Sequence, residues 1–446
     1  MMSHVCNSTL DRQVEMDSAD RLLVQIASYN TNLQGFEGVP QDLVDWLSPT
    51  LQVSTFLSHE PRAPDIVAVG FQELLPLHLG LSGWSSAVIN NRADHILSQI
   101  NSHAPNKETY TLLAKIVNVG VALLVYARDD GVGKKACDIQ TNWTGCGFLG
   151  YMGNKGAVGV RFRLPDSEGG IGETYTFVCA HLTAHEQYLA HRIANYHHIV
   201  GTLLFPDESG KPSTIYSTSH LFFLGDLNFR ISLPPTQINP IINVSSPDGI
   251  SDALTDESVR ATLKDFDQLL TERRKNTIFV GLREGEFWKF KCSYKYKLGA
   301  VDTYSTKRTP SWTDRILYAT HTDREDTPEN SNITNILYTS IPSYTTSDHK
   351  PIVALLLVPR QKDSSTSNNS PVLRLPAFYS PRPDRRANLK RYVGRTLDRT
   401  LGIIWWLLTV IGAGSAAVGL FNFIVGMGAW NWWKSSRYTA VSTNTV

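Results

Sequence analysis

Apolar runs of strand length recur along the chain, at Leu22–Ala27, Ile66–Val69, Ile116–Val125, Thr176–Cys179, Leu221–Leu224 and Ile352–Val358. Several are continuous rather than alternating, the habit of strands buried on both faces. Helix-like stretches lie between them, Ser85–Ile100 and His185–Leu204, together with a charge-rich segment over Asp252–Arg274. Strands interleaved with helices predict an α/β domain around a sheet core. No internal repeat is present.

The polar residues that end these runs carry the next constraint. In "HLFFLGDLNFRI", four apolar residues run straight into Asp226, Asn228 and Arg230. Strand alternation would put all three on one face, at the mouth of a sheet where α/β folds bind ligands. An Asx-stabilised corner is the plainer reading of that stretch alone. Other runs end in the same way: Asn30 and Asn32 after "IASY", Gln72 and Glu73 in "VGFQE", His181 and His185 in "AHLTAH". Asp314 and Arg315 stand in "WTDRIL", and Asp348, His349 and Lys350 precede the last run. Convergence of so many polar ends by chance is less plausible than a shared site.

Those residue types fit metal-assisted hydrolysis of a phosphate ester. Oxygen donors such as Glu73, with Asn30 close by, suit Mg²⁺, which binds through few carboxylates and keeps several waters. A carboxylate such as Asp226 accepts a proton from water, histidine serves acid–base or charge-stabilising roles, and Arg or Lys neutralises phosphate. No HExxH, Walker-type glycine loop or basic-loop cysteine is present, which disfavours a covalent cysteine mechanism.

Bulk numbers exclude little but point one way. The 446 residues allow one large domain or two ordinary ones. With 42 basic against 41 acidic residues, the chain lacks the basic excess of proteins that live on nucleic acid. Five cysteines, odd in number and without a CxxC pair, predict free thiols in a reducing compartment.

The two ends differ. Residues 1–20 form a tail with no basic-then-apolar signal pattern. The domain is expected over 21–360, closing near Pro359, followed by a flexible basic linker over 361–399. From Thr400 to Trp433 no charged residue occurs, and tryptophans sit at both ends, which predicts a transmembrane anchor over 400–433. A re-entrant hairpin is the lesser alternative. Seven cations between Arg382 and Arg399, against Lys434 and Arg437 beyond the span, predict a cytosolic domain and a short lumenal tail over 434–446.

"FFLGDLNFRI", "PSWTDRIL" and "SDHKPI" together resemble the inositol polyphosphate 5-phosphatases, magnesium enzymes of the endonuclease/exonuclease/phosphatase superfamily. The similarity runs from about Leu22 to Val358 and includes "GFQE", "MGNKGAVGVRF", "HLTAH", "DQL" and "YKY". It implies a four-layer sandwich, two β-sheets face to face with helices outside. It also implies a role for each matching residue. Glu73 is the expected principal metal ligand, with Asn30 near the ion and Asp348 beside it. Asp226 would activate water and Asn228 orient the phosphate; His349, paired with Asp314, and His181 would contact the scissile group. Tyr294, Lys295 and Arg308 would hold a neighbouring 4-phosphate, and Asn154 and Lys155 would meet the 1-phosphate. Thr313 stands where the family has cysteine, Thr306 where it has lysine, and Lys307 falls one residue late. Lys297, after "YKY", is a candidate compensating contact.

With the apolar tail, the chain resembles the fungal tail-anchored phosphatidylinositol 4,5-bisphosphate 5-phosphatases of the endoplasmic reticulum. A phosphoinositide lipid is then the expected partner and nucleic acid is not. A nuclease, a sphingomyelinase or a non-catalytic lipid-binding tether remain the alternatives.

Overall fold

The computed structural model describes residues 21–35, 62–165, 171–233, 252–360, 370–411 and 424–430. Its frame is two six-stranded sheets. The first contains β1 (Leu22–Asn30), β2 (Ile66–Gln72), β3 (Tyr110–Asn118), β4 (Val121–Arg128), β13 (Thr334–Ser340) and β14 (Ile352–Val358), in the order β13-β14-β1-β2-β4-β3. The second contains β5 (Cys137–Gly145), β6 (Gly156–Leu164), β7 (Glu173–His181), β10 (His220–Asp226), β11 (Arg283–Glu284) and β12 (Asp314–Thr320), in the order β11-β12-β10-β7-β6-β5. A short hairpin, β8 (Phe205–Pro206) with β9 (Pro212–Ser213), stands apart. In each sheet the central pair is parallel, β1 with β2 and β7 with β10, while the flanking pairs are antiparallel. Two equivalent parallel strand ends therefore face the same way.

Every residue of β1 and of β10 is buried, as the continuous apolar runs require. Leu22, Val24 and Ile26 of β1 meet Phe222 and Leu224 of β10 in one core between the sheets. On the outer faces, Ala27 and Tyr29 pack with Val88, Ile89 and Ile96 of α2 (Ser85–His103), which follows α1 (Leu77–Ser82). Leu221 and Phe223 pack with Tyr196 and Ile199 of α3 (Leu189–Thr202). The layers are helix, sheet, sheet, helix, the α/β sandwich that was expected.

Two segments differ from the sequence reading. The run Ile116–Val125 is a hairpin, turning at Val119 with φ +55° between β3 and β4. The charged Asp252–Arg274 segment yields two short helices, α4 (Glu257–Leu263) and α5 (Gln268–Arg274). They are separated because Asp267 leaves the helical region and caps α5 through Leu270 N, 2.9 Å from its carboxylate.

The expected flexible 361–399 linker is bonded to the domain from Pro371 onward. Leu373 N bonds to Thr218 O at 2.9 Å, Ser219 Oγ to Pro371 O at 2.6 Å, and Asp384 N to Gly201 O at 2.8 Å. From Ala387 the chain forms α6 (Ala387–Val410), which crosses the expected boundary at 399/400 without a break. A local reason is that, after Pro383, residues 387–410 contain no proline to break the helix. Among the described residues no helix is long and apolar enough to cross a membrane. Residues 412–423 and 431–433 of the expected anchor lie outside the described residues, as do the tails 1–20 and 434–446.

Candidate active site

The C-terminal ends of the two parallel pairs bring the predicted polar residues together. Asn30 ends β1, Glu73 follows β2, His181 ends β7 and Asp226 ends β10. Asp226 is the hub. Its Oδ2 accepts from Asn30 Nδ2 at 2.9 Å and lies 3.3 Å from His181 Nε2; its Oδ1 accepts from Asn228 N at 3.1 Å. Gly225 lets the strand end here: a Cβ on it would stand 2.0 Å from Ala180 O. Pleat alternation is not what aims Asn228 inward. β10 stops at Asp226, and Asn228 takes φ +57°, a left-handed conformation that asparagine tolerates.

His349, just before β14, closes the far side. Its Nδ1 pairs with Asp314 Oδ2 at 2.9 Å and its Nε2 lies 3.9 Å from Asp226 Oδ2. Asp314 is held by Ser293 Oγ at 2.7 Å and Thr313 Oγ1 at 2.9 Å. The threonine that departs from the family pattern thus still supports the carboxylate. Burial would lower the His349 pKa, but the Asp314 and Asp226 carboxylates outweigh it and push it up to about 9. Burial would likewise raise Asp226; His349, His181 and Lys155 outweigh that and hold it well below the usual carboxylate range. His181 moves the other way, lowered by burial and by the Lys155 ammonium that contacts its ring. The site thus sets an ionised carboxylate between a cationic and a largely neutral imidazole.

Glu73 stands at the mouth, its side chain 32% exposed and 3.8 Å from His181 Nε2. Its φ of +49° is unusual for a glutamate. Among the described residues no protein donor bonds its carboxylate, so its oxygens have coordination to spare. Oxygen donors of this kind, with the Asn30 amide nearby, fit a hard divalent cation. The atoms of Asp226, Asp314 and His349 lie within 4.8 Å of one another, and Asp314 Oδ1 is buried without a partner.

The expected substrate contacts are more dispersed. Lys295 pairs with Asp348, so that carboxylate is turned toward the lysine. The Tyr294 ring packs on His349 with centroids 4.5 Å apart. Arg308 is exposed at the rim, 3.4 Å from His185 Nδ1. Lys297 is exposed, and its backbone N bonds Thr303 O at 2.8 Å. Asn154 Oδ1 accepts from Phe148 N at 3.1 Å, which ties its own loop together. Arg230, expected on one face with Asp226 and Asn228 but given no substrate role, bonds Asn228 and lies 4.2 Å over the Tyr294 ring. Ser347 was missed. Its Oγ bonds Asn30 O at 2.7 Å and accepts from His349 N at 3.1 Å, joining β1 to the His349 segment. Both stood in sequence signals, Arg230 in the "DLNFR" spacing and Ser347 in "SDHKPI", where it was given no role.

Comparison with known proteins settles the family. A model described as "Endonuclease/Exonuclease/phosphatase family 2" matches residues 27–355. The chain belongs to that family. A mouse relative, type II inositol 1,4,5-trisphosphate 5-phosphatase, is 31% identical over 329 residues, covering 73% of this chain and 30% of the relative. The yeast polyphosphatidylinositol phosphatase INP53 is 28% identical over 345 residues, covering 76% of this chain and 26% of the relative. The chain thus matches less than a third of either relative's length. Among solved structures, the inositol polyphosphate 5-phosphatase domain of SPsynaptojanin, in complex with inositol (1,4)-bisphosphate and calcium ion, aligns with a TM-score of 0.57 at 24% identity. That match covers 79% of this chain and 90% of the other, and it shows the shared fold.

Proposed function

We propose that this member of the family hydrolyses the 5-phosphate of membrane phosphoinositides, chiefly phosphatidylinositol 4,5-bisphosphate to phosphatidylinositol 4-phosphate, with Mg²⁺. The observation that carries it is the meeting of Glu73, His181, Asp226 and His349 at one mouth, from four different strand ends. The printed names of the mouse and yeast relatives add support for the reaction class.

Glu73, with Asn30 beside it, would hold the divalent ion. The ion's contribution is Lewis-acid polarisation of the phosphate and neutralisation of its charge. The chain's own groups do the rest. Asp226, kept ionised by its cationic neighbours and oriented by Asn30 and Asn228, positions a water in line with the phosphorus and accepts its proton. His349, kept protonated by Asp314, donates to a phosphoryl oxygen as negative charge builds there. As the water oxygen bonds phosphorus, the bond from phosphorus to the inositol 5-oxygen breaks and that oxygen leaves as a hydroxyl, taking its proton from solvent. Lys155 and Arg230 add positive charge on the substrate side. Lys295, Arg308 and Lys297 supply cations at the rim for a second phosphate, and Tyr294 fixes the wall on which His349 rests.

The proposal extends to location: a cytosol-facing domain anchored by residues 400–433, in the endoplasmic reticulum. The cations ahead of that span and its lack of charge support the anchor and its orientation, and the organelle rests on the resemblance alone. Near-zero net charge weighs against a nuclease, and the competent set of catalytic groups weighs against a passive tether. Phosphate release from a panel of phosphoinositides, phosphocholine release from sphingomyelin and strand cleavage of DNA, each with Mg²⁺ and with chelator, test the reading. Magnesium-dependent release from the 4,5-bisphosphate is expected; turnover of only sphingomyelin or DNA, or lipid binding without turnover, would overturn it.

A further inference from the structure

The packed face of α6 is unusual. Its buried residues are Ala387, Gly394, Asp398 and Gly402, not an apolar stripe. The last three are four residues apart and share one side of the helix. A Cβ on Gly394 would stand 2.1 Å from Tyr151 O, and one on Gly402 would stand 2.4 Å from Ser82 N. Between them both Asp398 oxygens accept from Gly153 N, at 3.1 and 3.0 Å. Arg399 bonds Leu81 O at 3.1 Å, and the Arg395 guanidinium lies 3.9 Å over Trp143. The helix is therefore held at backbone-contact distance over about two turns.

What it holds is the rim of the active site. α1 starts four residues after Glu73. Gly153 precedes Asn154 and Lys155, and Lys155 touches His181. From Thr400 the helix carries no charge. Leu401, Ile403, Ile404, Trp405, Leu407 and Leu408 are all at least two-fifths exposed. Leu401 lies only about 4.5 Å along the axis from Asp398. The same rim also exposes Phe148 and Leu149.

A lipid bilayer is the occupant that fits this exposed end. The sequence continues without charge to Trp433, and Lys390, Arg391, Arg395 and Arg399 precede the apolar end as anionic headgroups favour. A second copy aligned in parallel would bring those four cations together instead. We propose that α6 is a rigid strut holding the catalytic mouth against the bilayer its own apolar half enters, so that the enzyme acts on lipids of that membrane and not on an apposed one. This rests on the membrane reading above. The 40-residue flexible tether expected from sequence would have allowed either.

The test uses the full chain reconstituted in vesicles. Flotation comes first: a chain that does not float with vesicles overturns the membrane reading itself. For a chain that floats, hydrolysis of the 4,5-bisphosphate is compared with the lipid in the enzyme's own vesicles or only in a second population. Rates are normalised to cleavage of soluble inositol 1,4,5-trisphosphate. The strut predicts a preference of at least about tenfold for the enzyme's own vesicles, from effective concentration. A flexible Gly/Ser insert of about 30 residues between Arg399 and Thr400, spanning roughly 30 Å, should cut that preference several-fold while soluble cleavage holds. Gly402→Leu, which collides with α1, should act in the same direction. Equal rates in both vesicle arrangements for the parent chain overturn the strut, as does an unchanged preference in a folded insertion variant. Concentration-dependent dimers that float without such a preference would assign the apolar end to a second copy.

Discussion

At the scale of single residues, the site depends on how one carboxylate is surrounded. Asp226 is buried and accepts from two amide groups, so truncation to alanine would strand the Asn30 and Asn228 donors. Asp226→Asn keeps the shape and removes the charge. Turnover is expected to fall by about 10²–10⁴-fold while lipid binding stays within a few-fold, because the lost interaction belongs to the transition state. Measured kcat beside vesicle-binding affinity checks this; equal losses in both would make Asp226 structural. Lys297 poses the opposite case. It is exposed and its side chain has no part in holding the fold, so Lys297→Ala should leave stability unchanged. Its expected effect is a KM for the 4,5-bisphosphate raised about 2–5-fold, the loss of one exposed charge contact worth less than about 1 kcal/mol. An unchanged KM would remove Lys297 from substrate recognition.

At the scale of elements, the sandwich was legible because its strands are apolar on both faces. β1, β10 and β14 could be read directly from composition. β5 could not: it is an edge strand whose residues 137–143 are exposed or half-buried, so its apolar content is low. α6 was hidden for a different reason. Its docked face is built from glycine and aspartate, which apolar periodicity cannot register, and its apolar residues point away from the domain. Convergence of the site's polar side chains was legible as a habit of strand ends, whereas a support such as Ser293 carries no pattern and Ser347 stood in "SDHKPI" without an assigned role. Asp398 gives the element-scale prediction. Burial pushes its pKa up to about 6, against the opposing pull of Gly153 N and two arginines. A carboxyl raised above its unfolded value contributes stability that is fully present below that unfolded value and is lost as pH rises through the folded one. The parent chain should therefore lose stability relative to Asp398→Asn between about pH 4 and pH 7, by at most about 3 kcal/mol. Denaturation of both proteins at pH 4.5 and pH 7.5 measures it; a constant difference would mean the carboxyl ionises freely.

At the scale of the whole molecule, the segment after Arg360 divides into a strap and a helix, and truncations at two points distinguish their contributions. Residues 370–384 are part of the fold. Leu373 is buried in the cluster formed by α3 and the second sheet, Tyr379 OH bonds Tyr196 OH at 3.2 Å, and three hydrogen bonds tie this strap to Thr218, Ser219 and Gly201. Residues from Ala387 onward instead cover the small patch of Leu81, Val119 and Met152 beside the catalytic rim. A chain ending at Arg386 should be soluble and keep both sheets, the strap and most of its stability. It should cleave soluble inositol 1,4,5-trisphosphate at near the parent rate but lose most activity on vesicle lipid. A chain ending at Arg360 should be less stable by a further 3–5 kcal/mol or so, one buried leucine plus several hydrogen bonds. Urea unfolding of the two truncations provides the measurement. Equal midpoints would show that the strap lies on the surface without stabilising it. Lost cleavage of the soluble substrate by the chain ending at Arg386 would show that α6 shapes the catalytic loop itself.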